Sequence, residues 1–166
     1  MNSVQILLKA PNFIAPTTLK RMTLYDDTLA LLQELIRNAC VNDLTPDSGN
    51  EVRNADTLEK FFEGTDVEIA RYESHPGRVS IVVTVPGDPE KEPLTLMGHT
   101  DVVPVDEPKW TKPPFDALIE DGKLYGRGAV DMLFITASMA AVTRKIAQEG
   151  NPGGTLAFVG MADEEA

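Results

Sequence analysis

Long apolar runs are missing from this 166-residue sequence, and it contains a single cysteine, Cys40. No stretch approaches the roughly 20 apolar residues that span a bilayer. The short apolar run at 4–8 is followed by Lys9 and Pro11, which is not the pattern of a signal peptide. One cysteine cannot form an internal disulfide, so the cysteine content gives no sign of an oxidising compartment. We therefore expect a cytoplasmic protein that has no membrane partner.

Positive charge is also scarce, since 15 Lys and Arg stand against 26 Asp and Glu, for a net charge of -11. Phosphate backbones and anionic membranes repel such a surface, whereas a cluster of carboxylates can attract cations. The apolar content of 42% and charged content of 25% are ordinary for a globular protein. The composition predicts one domain with a buried core and no affinity for nucleic acid.

Three segments show the apolar period of an amphipathic helix. They are 23–40, about 54–63 and 131 to about 148. Thr23 is the expected N-cap of the first helix. The preceding residues, 1–22, contain two prolines and are predicted to form an N-terminal arm, so the folded domain is expected to cover 23–166.

Four segments rich in β-branched and apolar residues predict strands. They are 67–72, 78–85, 94–97 and 155–161. The first two are expected to form a hairpin, and 94–97 has the composition of a buried parallel strand. Because a helix crosses between the last two strands, they should be parallel, which predicts an α/β domain with a mixed sheet. The stretch 99–130 is expected to be a long irregular loop of a kind that often carries function.

Histidine and acidic residues occur in three clusters that follow strands or precede a helix. The clusters are Gly98-His99-Thr100-Asp101, then 126–132 ending in Asp131-Met132, and Asp163-Glu164-Glu165. In open α/β sheets, functional sites gather at the carboxyl ends of the strands. We therefore expect the three clusters to meet at one edge of the sheet.

These residue types suit a metal site. Zinc accepts histidine nitrogen and carboxylate oxygen, and two neighbouring ions need a bridging group, which is often a carboxylate. Asp101 lies two residues beyond His99, so both side chains leave an extended segment on one face, where the carboxylate can hold the imidazole in one tautomer. One of Glu164 and Glu165 could bind metal while the other handles protons. Each of these residues alone has an ordinary explanation; Asp131, for example, could simply be an acidic residue stabilised at a helix N-terminus. The order of the three clusters along the chain is what favours a metal site.

In order and spacing, the three clusters resemble a family of two-zinc hydrolases, as do Trp110 and Pro114-Phe115. This family includes aminoacylase, acetylornithine deacetylase, succinyl-diaminopimelate desuccinylase and the glutamate-type carboxypeptidases. The resemblance runs from about Thr23 to the last residue. It implies a three-layer, zinc-exopeptidase-like α/β domain with a mixed, mainly parallel sheet. It also implies that 23–166 is the N-terminal portion of a catalytic domain, without the family's lid and dimerisation domain.

The resemblance gives each matching residue a role. His99 would bind one zinc, Glu165 would bind the other, and Asp131 would bridge both, with a cis peptide bond after it. Asp101 would orient His99, and Glu164 would act as the general base and acid. The implied reaction is the hydrolysis of an amide bond in an N-acyl amino acid or small peptide by zinc-activated water. Cobalt or manganese could occupy the same ligands.

Two departures from the family pattern modify these expectations. Leu133 and Phe134 stand where the family has Lys and a small residue, and the sequence ends at Ala166, before the remaining ligands of the family. We expect the chain alone to be inactive, to bind zinc weakly, and to form homo-oligomers if its sheet edges are open. Two alternatives stay open: a pseudoenzyme that keeps only the fold, and a module that binds cations or partners through its acidic surface.

Overall fold

The computed structural model describes residues 6–7, 23–150 and 152–165. The helices are α1 (Leu24–Arg37), α2 (Val52–Phe61) and α3 (Leu133–Glu149). The strands are β1 (Ile6–Leu7), β2 (Glu68–His75), β3 (Arg78–Val85), β4 (Leu94–His99), β5 (Leu118–Glu120), β6 (Lys123–Tyr125) and β7 (Leu156–Met161). Apart from β1, the predicted N-terminal arm at 1–22 lies outside the described residues, and the arm stays a prediction.

A mixed four-stranded sheet, in the order β2-β3-β7-β4, lies at the centre of the fold. The expected hairpin is present as the antiparallel pair of β2 and β3, and the expected parallel pair is β4 with β7. The predicted α/β fold with a mixed sheet is therefore confirmed. The sheet was expected to be mainly parallel. In the described part of the chain it is not, because β3 also pairs with β7 in the antiparallel sense.

Strand β3 lies at the centre of the core and is flanked in the sheet by β2 and β7. Its alternate residues are buried, namely Val79, Ile81, Val83 and Val85. Phe158 of β7 is fully buried, and its ring lies 6.1 Å from that of Phe62, which directly follows α2. Burying apolar side chains of this size contributes about 1.5–3 kcal/mol each relative to exposure. This packing gives the carboxyl ends of the strands a rigid support.

At the other edge of the sheet, β4 differs from its prediction. The segment 94–97 was expected to be a buried parallel strand, yet Leu94 is 57% exposed and Met97 is 56% exposed. The prediction of burial was wrong because β4 is an edge strand that has one neighbour, β7, among the described residues. Only its last two residues, Gly98 and His99, are buried.

The helices begin and end close to their predicted limits. Thr23 caps α1 as expected, because its Oγ1 accepts a hydrogen bond from the backbone N–H of Asp26 (3.2 Å) and its own N–H donates to the Asp26 carboxylate (3.0 Å). The buried face of α1 consists of Leu31, Leu32, Leu35 and Ile36. α1 packs on α3, and both α2 and α3 pack on the sheet. In the described residues, no helix has the length and apolar character needed to cross a membrane.

Residues 99–130 are less irregular than expected. They contain the hairpin of β5 and β6, which extends to a three-stranded sheet through β1. Asp121 and Gly122 connect the hairpin with φ values of 52° and 71°. Positive φ at two central residues is the geometry that Asp-Gly turns favour. The prediction of a structureless loop was wrong because strands of three residues are too short to show an alternating pattern.

Candidate active site

The three clusters meet at the carboxyl ends of β4 and β7. His99 ends β4 and pairs with Met161 at the end of β7, and Asp131 lies just before α3. Nε2 of His99 is 3.5 Å from Oδ1 of Asp131 and 3.7 Å from Oε2 of Glu164. Two carboxylates from separate parts of the chain therefore face the ring nitrogen of a third part, and the three clusters meet as the sequence predicts.

His99 is buried and its ring is held from the opposite side. Nδ1 lies 3.1 Å from the backbone oxygen of Asp101 and 3.4 Å from its carboxylate Oδ1. A proton on Nδ1 can therefore be donated to Asp101, which leaves Nε2 to bear a second proton or to bind a metal. The backbone oxygen of His99 is fixed as well, since it accepts a hydrogen bond from Oγ1 of Thr136 on α3 at 2.9 Å.

Close packing at Gly98 brings α3 against the end of β4. A Cβ at this position would lie only 2.6 Å from Oγ1 of Thr136, the atom that donates to the backbone of His99. Glycine therefore allows the helix to approach the strand directly beside the candidate ligand.

Asp101 is completely buried and accepts hydrogen bonds that stabilise its ionised form. Its Oδ2 accepts from Nδ2 of Asn42 at 3.0 Å and from the backbone N–H of Glu165 at 2.9 Å. Burial alone would raise the pKa of Asp101, but its interactions with His99, Asn42 and the backbone outweigh burial and lower that pKa to about 2. Asp101 is therefore a fixed negative charge beneath the imidazole.

The turn that follows β7 carries both glutamates and is anchored by side chains from elsewhere. The backbone N–H of Ala162 donates to Oγ of Ser80 at 3.0 Å, and that of Asp163 donates to Oε1 of Glu51 at 3.3 Å. Asp163 has a φ of 65°, which is the left-handed region that Asp tolerates better than most residues. These contacts hold Glu164 at the rim of the site, where about half of its side chain is exposed.

Charges in the site shift the pKa values of two further groups. Burial lowers the pKa of His99, but the hydrogen bonds and charge of Asp101, together with Glu164, overcome this and raise it from 6.5 to about 9. For Glu165, burial raises the pKa, and the nearby carboxylates of Asp131, Asp101 and Glu164 add to this while His99 opposes it. The site therefore attracts positive charge.

The donor set fits a divalent metal such as zinc. The ring nitrogen Nε2 and the two carboxylates that face it are separated by 3.5–3.7 Å, which is too far for direct hydrogen bonds. Histidine nitrogen and carboxylate oxygen are both zinc ligands, and a buried carboxylate behind the ring is the usual support for such a histidine. Among the described residues, however, no group of three or more His, Cys, Asp or Glu side chains is arranged so that it could hold a metal ion. The chain therefore presents a partial set of ligands.

The peptide bond between Asp131 and Met132 is cis, as the resemblance implies. The two departures next to it are accommodated in the core. Leu133 is buried, packs against Gly128 and donates its N–H to the backbone oxygen of that glycine at 2.9 Å, while Phe134 is partly buried against the main core. The bulky pair therefore fills space beneath the loop and leaves the approach to Asp131 open.

Several residues that shape the site were not predicted from the sequence. They are Asn42, Glu51, Arg78, Ser80 and Thr136. The sequence does offer one signal, because Arg78 is the one charged residue of a strand that is otherwise uncharged and rich in β-branched residues. A buried charge needs a buried partner, but the sequence gives no indication that Glu51 is that partner.

Comparisons with known proteins agree with this geometry. Residues 95–166 match the family described as peptidase family M20/M25/M40. The structure of human carnosine dipeptidase 1 has 26% sequence identity to this chain, with a TM-score of 0.62, and the match covers 85% of this chain and 32% of that chain.

Two further structures show the same fold at lower identity. The M20 family metallo-carboxypeptidase Sso-CP2 from Sulfolobus solfataricus is 21% identical, with a TM-score of 0.65, over 84% of this chain and 31% of that chain. The aminopeptidase PepT from Bacillus cereus is also 21% identical, with a TM-score of 0.62, over 85% of this chain and 37% of that chain. This chain thus spans about a third of the length of each. The family match at 95–166 includes all five predicted site residues.

Proposed function

We propose that this protein takes part in the metal-dependent hydrolysis of an amide bond in a small peptide or N-acyl amino acid. The observation that carries the proposal is the position of His99. Its Nε2 faces Asp131 at 3.5 Å and Glu164 at 3.7 Å, while its Nδ1 is held by the buried Asp101. A supported histidine that faces two carboxylates is a typical arrangement for holding a catalytic metal.

Each site residue is proposed to have the role that the family resemblance implies. His99 and Asp131 would hold one zinc ion, and Asp131 and Glu165 would hold the other. When bound, the ions would lower the pKa of a water molecule and polarise the carbonyl of the scissile amide. Asp101 keeps the imidazole of His99 in the orientation that directs Nε2 into the site.

Glu164 is suited to moving the proton. Its carboxylate lies at the open side of the site, about half exposed, so that it can reach both a water molecule and a bound substrate. It would take a proton from the attacking water and return it to the nitrogen of the leaving amine. The anchored backbone on both sides of it keeps this carboxylate next to the other groups.

The proposed substrates are short peptides and N-acyl amino acids. The similar solved structures are named as a carboxypeptidase, a dipeptidase and an aminopeptidase, which supports a short peptide, and the resemblance to aminoacylases supports an N-acyl amino acid. Zinc is the proposed metal, with cobalt and manganese as substitutes for the same ligands. We place the reaction in the cytoplasm.

The test is a hydrolysis assay on the zinc-loaded protein with a panel of dipeptides and N-acetyl amino acids. The chain spans about a third of the similar structures, so the assay uses the 166-residue chain and also the full reading frame if that proves to be longer. Glu164→Gln should lower kcat by about 10²–10⁴-fold and leave zinc affinity within about twofold. The matched control is Glu63→Gln, which makes the same change at an exposed position far from Glu164 in the sequence.

Two results would count against the proposal. One is full activity in Glu164→Gln, which would remove the proposed general base. The other is metal binding without hydrolysis of any substrate in the full reading frame, which would favour a pseudoenzyme or a cation-binding module.

A further inference from the structure

We propose that Asn42 is a positioning residue that sets the spacing between the two halves of the site. One half is the end of β4, with His99 and Asp101, and the other is the turn after β7, which runs from Asp163 to Glu165. The importance of this spacing for catalysis rests on the proposed function, but the contacts of Asn42 do not.

The side-chain amide of Asn42 connects the two halves directly. Its Nδ2 donates to Oδ2 of Asp101 at 3.0 Å and to Oδ1 of Asp163 at 3.1 Å. Asn42 is 1% exposed, so water does not compete for these bonds. A single neutral group thus uses both of its protons to hold two carboxylates that would otherwise repel each other.

The other end of the amide determines its orientation. Oδ1 of Asn42 accepts from Nη2 of Arg78 and from the backbone N–H of Leu44, both at 3.2 Å. Rotating the amide by 180° would place its NH₂ against these two donors and its oxygen against two carboxylates. Since all four hydrogen-bonding positions are satisfied in one orientation only, the direction of the two protons is fixed.

A buried ion pair supports Asn42 from below. Nη1 of Arg78 lies 2.9 Å from Oε1 of Glu51 and 3.0 Å from Oδ1 of Asp163, and the side chains of Arg78 and Glu51 are 5% and 0% exposed. Breaking such a pair by removing one partner is costly because it leaves a buried charge unpaired. Arg78 therefore stays in place and keeps Oδ1 of Asn42 directed towards it.

The loop before α2 closes tightly over this pair. A Cβ at Gly49, where φ is 79°, would lie 2.3 Å from Nη1 of Arg78 and 2.7 Å from Oε1 of Glu51. The absence of a side chain at this position is thus a requirement of the network and not only of the turn.

The charge balance explains why the linking residue is an amide. Two carboxylates, Glu51 and Asp163, lie against the Arg78 guanidinium, and a third, that of Asp101, accepts from Asn42. A further negative charge would be repelled here, and a cation would compete with His99 for Asp101. Asn42 supplies two donors without adding charge. Because Asp101 also accepts from the backbone N–H of Glu165, the network passes from His99 to the glutamates.

The experiment uses Asn42→Asp, which keeps the shape but replaces the two donors by an acceptor. Asn42→Ala is the second variant, because it removes the donors without adding charge in case the first fails to fold. Gln33→Glu is the matched control: Gln33 also links distant parts of the chain through its side-chain amide, because Nε2 donates to the backbone oxygen of Ala117 at 2.9 Å, and Ala117 is not part of the site. The measurements are amide hydrogen exchange by NMR, thermal stability, and zinc affinity of the 166-residue chain.

We expect exchange of the Glu165 amide, which donates to Asp101, to be at least tenfold faster in both Asn42 variants and unchanged in Gln33→Glu. Where the wild type binds zinc, we expect the Asn42 variants to lose about 10–100-fold in affinity, as is usual when the support of a metal ligand is removed. If Asn42 contributed only to stability, Gln33→Glu would accelerate exchange of the Glu165 amide as much as an Asn42 variant with the same loss of thermal stability.

An unchanged Glu165 amide in both folded Asn42 variants would overturn the proposal, and so would acceleration spread evenly over the whole sheet. The exchange measurement requires neither metal nor substrate. A wild-type chain that binds no zinc would therefore count against the proposed function, while the exchange data would still decide the role of Asn42.

Discussion

Oδ1 of Asp101 lies 3.4 Å from Nδ1 of His99, and the opposite ring nitrogen, Nε2, faces Asp131 and Glu164. The imidazole therefore lies between a buried fixed charge and an open group of carboxylates. This relationship allows a proton to occupy Nε2 when no metal is bound and lets a metal replace that proton. It also makes the basicity of His99 dependent on Asp101.

Replacing Asp101 should weaken the site without unfolding the protein. In Asp101→Asn the shape is kept but the charge behind His99 is lost, so we expect zinc affinity to fall by about 10–100-fold and the pKa of His99 to fall. Competition with a chromophoric chelator measures the first effect, and an NMR titration measures the second. Asp66→Asn, at an exposed position, is the control. Equal zinc affinity in wild type and Asp101→Asn would show that Asp101 does not support a ligand.

The stability of the metal-free chain should fall as the pH rises through the range set by His99. Its pKa is raised from 6.5 to about 9 in the folded state, so the folded state binds this proton more tightly than the unfolded state does. The resulting stabilisation is fully present below about pH 6.5 and is lost as the pH rises to about 9. Urea denaturation at several pH values measures the slope. The slope should be smaller in His99→Gln, and an equal slope in both proteins would contradict the assignment.

Gly98→Ala should destabilise the fold beside the site. Its Cβ would lie 2.6 Å from Oγ1 of Thr136, and overpacking of this kind costs about 1–3 kcal/mol. Thermal or urea denaturation measures the loss. Because the two side chains would be in direct contact, the loss in the double variant with Thr136→Ala should be smaller than the sum of the two single losses. Strictly additive losses would indicate that the strand end and the helix are not in close contact.

Much of this architecture could be predicted because its signals are local. The capping residue Thr23, the apolar stripe of α1 and the β-branched run of β3 act over a few residues, and all three predictions are confirmed. The meeting of His99, Asp131 and Glu164 followed from a general rule about strand ends. The exposure of β4 could not be predicted, because burial of a strand depends on how many neighbours it has in the sheet.

The network around Asn42 could not be predicted for a related reason. Its members are separated by large distances in the sequence, and Asn42, Glu51 and Arg78 are each unremarkable in their own segments. Only the folded chain brings the Glu51 carboxylate to 2.9 Å from the Arg78 guanidinium and places the Asn42 amide between two carboxylates. Buried polar groups find partners through tertiary structure, so their pairing leaves little trace in local patterns.

The most direct test of the metal site uses the two histidines of the chain, His75 and His99. Zinc affinity of the purified 166-residue chain is measured by competition with a chromophoric chelator for wild type, His99→Ala and His75→Ala. Since His75 is exposed at the hairpin and His99 is buried among carboxylates, the assignment of His99 as a metal ligand predicts at least a tenfold loss of affinity in His99→Ala and a change within about twofold in His75→Ala. Zinc binding that is equal in all three proteins, or lost only in His75→Ala, would contradict it.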